Sequence, residues 1–225
     1  MVIPVRNHQA AQGPRLPGPL MPTPLMPMMP RRHGRRIGVL GGSFNPAHTG
    51  HIALSKLAKQ HARLDEVWWL VNPQNPLKTT AEMASFQQRL AKAKEVTATL
   101  PFIKVKASEA RWGTRRSYDS VKLLRQRLKG SVFIWIMGTD NLVQLPQWYR
   151  AKEFVHLSDS FIARRPGSFY QALASQGAHL YRHRCRHAAS LGTYGRYYVG
   201  CHFQDSTSAT AIRATMDWPP HPLHA

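Results

Sequence analysis

A short apolar run that ends in two glycines and then opens into a pair of histidines leaves this chain few ways to fold. Residues Arg36 to Ala58 read RIGVLGGSFNPAHTGHIALSKLA. Ile37-Gly38-Val39-Leu40 has the unbroken hydrophobicity of a strand buried on both faces. Gly41 and Gly42 carry no Cβ and are expected to turn the backbone sharply. Ser43-Phe44-Asn45-Pro46 continues the loop, with Pro46 biasing Asn45 towards an extended shape. From Thr49 the pattern becomes helical, with Ile52, Leu57 and Ala58 available for an apolar stripe. Strand, glycine turn and helix start together form an anion site, because turn amides and the positive end of the helix dipole face a phosphate. His48 and His51 stand three residues apart at that corner and share one side of a first helical turn. There they can donate hydrogen bonds to phosphoryl oxygens, or carry charge if a polyphosphate favours it.

The rest of the chain repeats the alternation. Glu66 to Val71 (EVWWLV) reads as a strand, followed by the proline-punctuated loop Asn72 to Lys78. Ala84 to Thr99 has Phe86, Leu90, Ala93 and Val96 at helical core spacing, and Phe102 to Ala107 returns to a strand. Arg111 to Lys129 reads as a loop and a helix that Ser117 can cap, with Asp119 near its positive end. Val132 to Met137 (VFIWIM) is the most apolar strand and belongs mid-sheet; Asp140 follows its carboxyl end, where open α/β sheets place ligands. Ser160 to Ala163 and Tyr197 to Phe203 are further strands. In Tyr181 to His187, His183, Cys185 and His187 alternate and on a strand would share a face, but no good fourth ligand accompanies them, so no metal site is assigned. Ser206 to Arg213 (STSATAIR) clusters hydroxyls at a helix start with an arginine one turn in, a second phosphate-binding arrangement. Strands alternating with helices imply an α/β fold, a doubly wound parallel sheet with its ligands at the carboxyl edge.

The segment GGSFNPAHTGH resembles the signature of the nucleotidyltransferase superfamily that carries a His-x-Gly-His motif, and more narrowly that of bacterial nicotinate-nucleotide adenylyltransferases. The resemblance runs from about Arg36 to Trp218. Pro146-Gln147-Trp148-Tyr149 is similar to that family's Pro-x-Trp-Tyr, Arg164-Arg165-Pro166-Gly167 to its Arg-Arg-Pro-Gly, and Ser208-Ala209-Thr210-Ala211-Ile212-Arg213 to its closing Ser-Ser/Ala-Thr-x-Ile-Arg. Ser117 and Asp119 stand in for the Thr and Asp of a Ser-Tyr-Thr-x-Asp-Thr-Leu segment, although Arg115-Arg116 replaces its Ser-Tyr pair. The resemblance implies a Rossmann-like nucleotidyltransferase fold over residues 36–225. It also implies transfer of the adenylyl group of ATP to nicotinic acid mononucleotide, giving deamido-NAD and pyrophosphate. The implied catalytic residues are His48, His51 and Arg213. Gly41, Gly42, Ser43, Phe44, Asp140, Ser208, Thr210 and Arg213 are implied to hold ATP, and Ser117, Trp148, Tyr149 and Arg165 the mononucleotide. Trp148 can stack its indole on a pyridine ring. Lys78 either adds charge to a substrate loop or sits in a simple connection. Mg²⁺ is expected on the substrate phosphates, since the chain offers no dedicated carboxylate cage.

Close relatives in function remain as alternatives: the same chemistry on nicotinamide mononucleotide or on phosphopantetheine. The net charge of +20, from 31 Lys and Arg against 11 Asp and Glu, admits a third, a basic nucleic-acid binder. That reading leaves the paired motifs unexplained, so small-molecule substrates are expected rather than nucleic acid or membrane. A homo-oligomer is allowed. Residues 1–35 are proline-punctuated, lack Asp and Glu and hold no apolar period, as in a disordered extension; Met28 or Met29 would serve as an alternative start. Two cysteines, no secretory signal and no apolar span fit a cytoplasmic setting.

Overall fold

A computed structural model describes residues 34–73, 83–114, 116–165, 169–202, 213 and 218 of the 225. Residues 1–33 of the expected N-terminal extension lie outside the described residues, as do Lys78, Ser208 and Thr210.

The elements alternate along the chain. Strand β1 (Arg36–Gly42) leads to helix α1 (Thr49–His61), β2 (Glu66–Val71) to α2 (Phe86–Thr97), and β3 (Ile103–Lys106) to the short α3 (Ser108–Trp112) and to α4 (Ser117–Arg127). Next come β4 (Val132–Gly138), α5 (Thr139–Gln144), a 3-10 turn at Leu145–Gln147, α6 (Ala151–Leu157) and β5 (Asp159–Arg164). The described part closes with α7 (Phe169–Leu173), α8 (Gln176–His179), a two-residue β6 (His183–Arg184) and β7 (Arg196–His202).

The seven strands lie in the order β3-β2-β1-β4-β5-β7-β6, and every pairing is parallel. The chain moves outward from β1 in one direction, then returns to the other side of β1 with β4. The crevice between the carboxyl ends of β1 and β4 is therefore the switch point of the sheet, the place where open α/β folds hold ligands.

Period-two alternation sends the side chains of each strand to two cores. On β4, Phe133, Trp135 and Met137 join Val121, Leu124 and Phe154 on one face, while Ile134 and Ile136 join Leu54, Ala58, Trp69 and Ala93 on the other. Gly38 in β1 keeps this layer tight. A Cβ there would come 2.5 Å from Leu64 Cδ1 and 2.7 Å from Ile136 Cδ1.

Several sequence expectations need correction. Gly41 and Gly42 are not the turn: both lie in β1, in register with Leu70 and Val71. In α1 the expected Ala58 is fully buried and Ile52 and Leu57 pack partly buried against the same core, with Gly50, Leu54 and Ser55 buried in addition. In α2 the expected Phe86, Leu90, Ala93 and Val96 do face the core, Ala93 fully buried and the others partly, and Arg89 and Thr97 are buried in addition. Ser117 is the first residue of α4 and not its cap. Arg116 holds the cap position without a side-chain hydrogen bond, since the helix starts one residue earlier than a serine cap would require. His183, Cys185 and His187 do not share a strand face, because β6 spans His183–Arg184 alone.

Candidate active site

The turn after β1 is built by Phe44 and Pro46. Phe44 takes a left-handed φ of 49°, and the Asn45–Pro46 peptide is cis. An aromatic residue tolerates that φ here because its ring is anchored: Phe44 is 1% exposed, stacks on Trp69 at 4.9 Å and meets the His51 ring at 4.8 Å. The Phe44 side chain is thus a support beneath the turn, which leaves only its backbone amide to face a ligand.

His48 is the N-cap of α1. Its Nδ1 accepts from Gly50 N at 3.1 Å, and His51 Nδ1 accepts from His48 N at 3.3 Å, so the two histidines form a reciprocal capping box. The rings lie 4.0 Å apart. A nitrogen that accepts from an amide carries no proton, which leaves the proton of each neutral ring on Nε2. The local helix start therefore selects the tautomer, and Nε2–H becomes the donor that a ligand oxygen can meet. Behind them, Trp69 Nε1 donates to Ser55 Oγ and Ser55 Oγ donates to the His51 carbonyl, both at 2.8 Å, which fixes the first turn of the helix against the core.

The far end of the chain reaches this turn. Arg213 Nη1 donates to the Asn45 carbonyl at 2.8 Å, and Trp218 Nε1 donates to Asn45 Oδ1 at 2.8 Å. Asn45 Oδ1 also accepts from Ala84 N at 3.1 Å, next to the start of α2. One buried asparagine thus gathers three separated segments. Nothing in the spacing of the sequence signalled Asn45 or Trp218 as a junction.

Across the switch point, Asp140 occupies the first turn of α5, which is capped by Gly138 and not by the acid. Arg165 Nη1 approaches Asp140 Oδ2 at 3.6 Å, and Arg165 N donates to Thr139 Oγ1 at 3.1 Å. Asp140 Oδ1 is shielded from solvent and has no hydrogen-bond partner among the described residues. Gly138 makes room for that carboxylate, since a Cβ there would come 2.5 Å from Oδ1. Arg164 is turned away from this pair, with its guanidinium 4.1 Å over the Phe169 ring.

Trp148 follows the 3-10 turn and meets Trp135 edge-on at 6.1 Å and Phe154 at 5.6 Å. Tyr149 is 47% exposed, lies edge-on to Tyr118 at 6.2 Å and is covered by the Arg116 guanidinium at 4.0 Å. The start of α4, with Ser117, is thereby brought to Tyr149. Gly41, Gly42, Ser43, His48, His51 and Arg213 thus assemble on one side, and Asp140 pairs with Arg165 beyond β4. Among the described residues no three His, Cys, Asp or Glu side chains converge as a metal site. No described helix is long and apolar enough to cross a membrane.

Residues 39–215 match the cytidylyltransferase-like family. A protein of Parvibaculum lavamentivorans named "Probable nicotinate-nucleotide adenylyltransferase" is 46% identical over 145 residues, 64% of this chain and 72% of that one. One of the same name from Erythrobacter litoralis is 43% identical over 190 residues, 82% of this chain and 86% of that one. In overall fold the chain is similar to Plasmodium falciparum nicotinic acid mononucleotide adenylyltransferase complexed with NaAD. That likeness has a TM-score of 0.60 at 16% identity and covers 80% of this chain and 83% of the other.

Proposed function

This chain belongs to the cytidylyltransferase-like family and, within it, to the nicotinate-nucleotide adenylyltransferases, and from that premise we propose how its residues work. The protein transfers the adenylyl group of ATP to nicotinic acid mononucleotide, yielding nicotinic acid adenine dinucleotide and pyrophosphate, a step of NAD biosynthesis.

An oxygen of the mononucleotide phosphate attacks the α-phosphorus of ATP in line. A new phosphorus–oxygen bond forms as the bond to the β-phosphate breaks, and pyrophosphate departs. Both partners are anions, so positioning and charge stabilisation supply most of the acceleration. His48 and His51 donate Nε2–H to phosphate oxygens, held in that tautomer by the capping box. Arg213 approaches from the other end of the chain and, with Ser208 and Thr210, takes the leaving pyrophosphate. Asp140, whose side chain is 42% exposed, accepts from the nucleotide ribose. Trp148 stacks on the pyridine ring, with Tyr149, Ser117 and Arg165 around the mononucleotide. Mg²⁺ carried in with ATP would supply further neutralisation of the phosphate charge; among the described residues no three His, Cys, Asp or Glu side chains form a cage for it.

The observation that carries this reading is the 2.8 Å bond between Arg213 and Asn45, which joins the closing segment to the histidine turn. Pyrophosphate release tests it, with ATP paired in turn with nicotinic acid mononucleotide, nicotinamide mononucleotide and phosphopantetheine. Release is expected with the first. Release with phosphopantetheine alone overturns the assignment.

A further inference from the structure

Helix α2 buries a residue whose chemistry does not belong in a core. Arg89 is 0% exposed. Its guanidinium donates through Nε to Ala84 O (3.0 Å), through Nη1 to Ser43 O (2.5 Å) and Asn72 O (2.8 Å), and through Nη2 to Pro73 O (2.8 Å). Among the described residues its hydrogen-bond partners are all backbone carbonyls, with the Phe86 ring alongside at 5.7 Å. Burial lowers its pKa, yet a guanidinium keeps its proton. A charge buried without a carboxylate is expensive to hold in a fold that needs only packing there.

Three of the four carbonyls explain the expense. Ser43 lies just past the end of β1, and Asn72 and Pro73 lie just past β2, the two strand ends that flank the histidine turn. The strands stay paired up to that point, with Asn72 N donating to Gly42 O at 3.0 Å. A peptide unit is planar, and in its trans form C=O and the following N–H point in opposite directions. Drawing the Ser43 carbonyl towards Arg89 therefore turns the Phe44 N–H away from the guanidinium, leaving that amide directed outward. Ala84 doubles the hold: its carbonyl goes to Arg89 and its N–H to Asn45 Oδ1 at 3.1 Å.

We infer that Arg89 is a positioning residue for the adenylyl donor, setting the Ser43–Asn45 turn against the ends of β1 and β2 so that its amides are preset for the ATP phosphates. This rests on the adenylyltransferase reading above. Only a planar fork with donors on three nitrogens spans carbonyls from three segments. A lysine ammonium places its donors at one point, and a glutamine has a single donor nitrogen.

Arg89→Lys and Arg89→Gln test the inference by initial rates of pyrophosphate release, with ATP and mononucleotide varied separately. Near-UV circular dichroism and thermal melting establish folding. In the folded variants kcat/KM for ATP falls by ~10-fold or more, less for Lys than for Gln, while KM for the mononucleotide stays within ~2-fold of wild type. A folded variant with kcat/KM for ATP within ~2-fold of wild type overturns the inference, and so does an equal rise in both KM values. Failure of both variants to fold assigns Arg89 to the scaffold alone and overturns it too. Wild-type protein that releases no pyrophosphate would instead bring down the adenylyltransferase reading, and this inference with it.

Discussion

The indole of Trp135 occupies the space that a side chain on Gly41 would need: a Cβ built there would lie 2.6 Å from Cη2 and 2.8 Å from Cζ2. The ring cannot easily retreat, because Phe154 meets it edge-on at 5.3 Å and Trp148 at 6.1 Å. Gly41 is therefore required for close approach within a strand, and Trp135 links the end of β1 to Trp148. Gly41→Ala should cost about 1–3 kcal/mol in urea denaturation and shift Trp148, raising KM for the mononucleotide. Unchanged stability together with an unchanged KM would show that the indole relocates freely.

His48 does two things, and they can be separated. It caps α1 through Nδ1 and, in the mechanism proposed, presents Nε2 to a phosphate. Asparagine is a strong N-cap, so His48→Asn should keep the melting temperature close to wild type while turnover falls ~100-fold or more. His48→Ala should lose the same activity and in addition about 1 kcal/mol of stability. Turnover in His48→Asn equal to that of wild type would leave the imidazole with a capping role only.

The sheet was legible because apolar runs such as VFIWIM and EVWWLV admit little else, and the histidine corner because chemistry and helix start coincide there. Arg89 was not. It sits between Phe86 and Leu90 in a pattern whose hydrophobic spacing looks complete without it, and a buried charge satisfied by carbonyls leaves no mark in composition. The junction at Asn45 was hidden for another reason: Trp218 lies 173 residues away. The turn was misplaced because two glycines suggest a bend locally, whereas the bend lies at Phe44, held by packing on Trp69. The capping role of Ser117 failed by one residue, the usual margin for helix ends.

Glu109 should make stability depend on pH. It is buried, accepts from Ser120 Oγ at 2.6 Å, and its Oε2 has no partner among the described residues. Burial pushes its pKa from an ordinary 4.5 up to about 7. Between those values the folded protein holds a proton that the unfolded chain has lost, so stability declines as pH rises through the window and levels off above it. The decline attributable to this group is about 3 kcal/mol at most. Glu109→Gln keeps an acceptor for Ser120 and cannot ionise. Urea denaturation at about pH 5 and about pH 8 should give this variant a flatter profile and a relative gain at the higher pH. A slope equal to that of wild type would place the proton elsewhere.

Trp218 should matter for turnover more than for folding. Its Nε1–H donates to Asn45 Oδ1, which also accepts from Ala84 N, so removing it still leaves that oxygen a donor. Trp218→Phe retains most of the ring and loses only the hydrogen bond, a cost of about 1 kcal/mol. The closing segment, however, is fastened to the histidine turn on both sides of Asn45, by Arg213 on the backbone carbonyl and by Trp218 on the side chain. With one fastening gone, Arg213 has more freedom relative to the turn, and the alignment of a departing pyrophosphate suffers. We expect kcat to fall roughly 3–10-fold with KM for the mononucleotide little changed. Asn45→Ala removes the acceptor for both Trp218 Nε1 and Ala84 N, though not the carbonyl held by Arg213, and should be the more severe change in rate and stability alike. If Trp218→Phe and wild type turn over at the same rate, the latch at Asn45 does not bear on the position of Arg213.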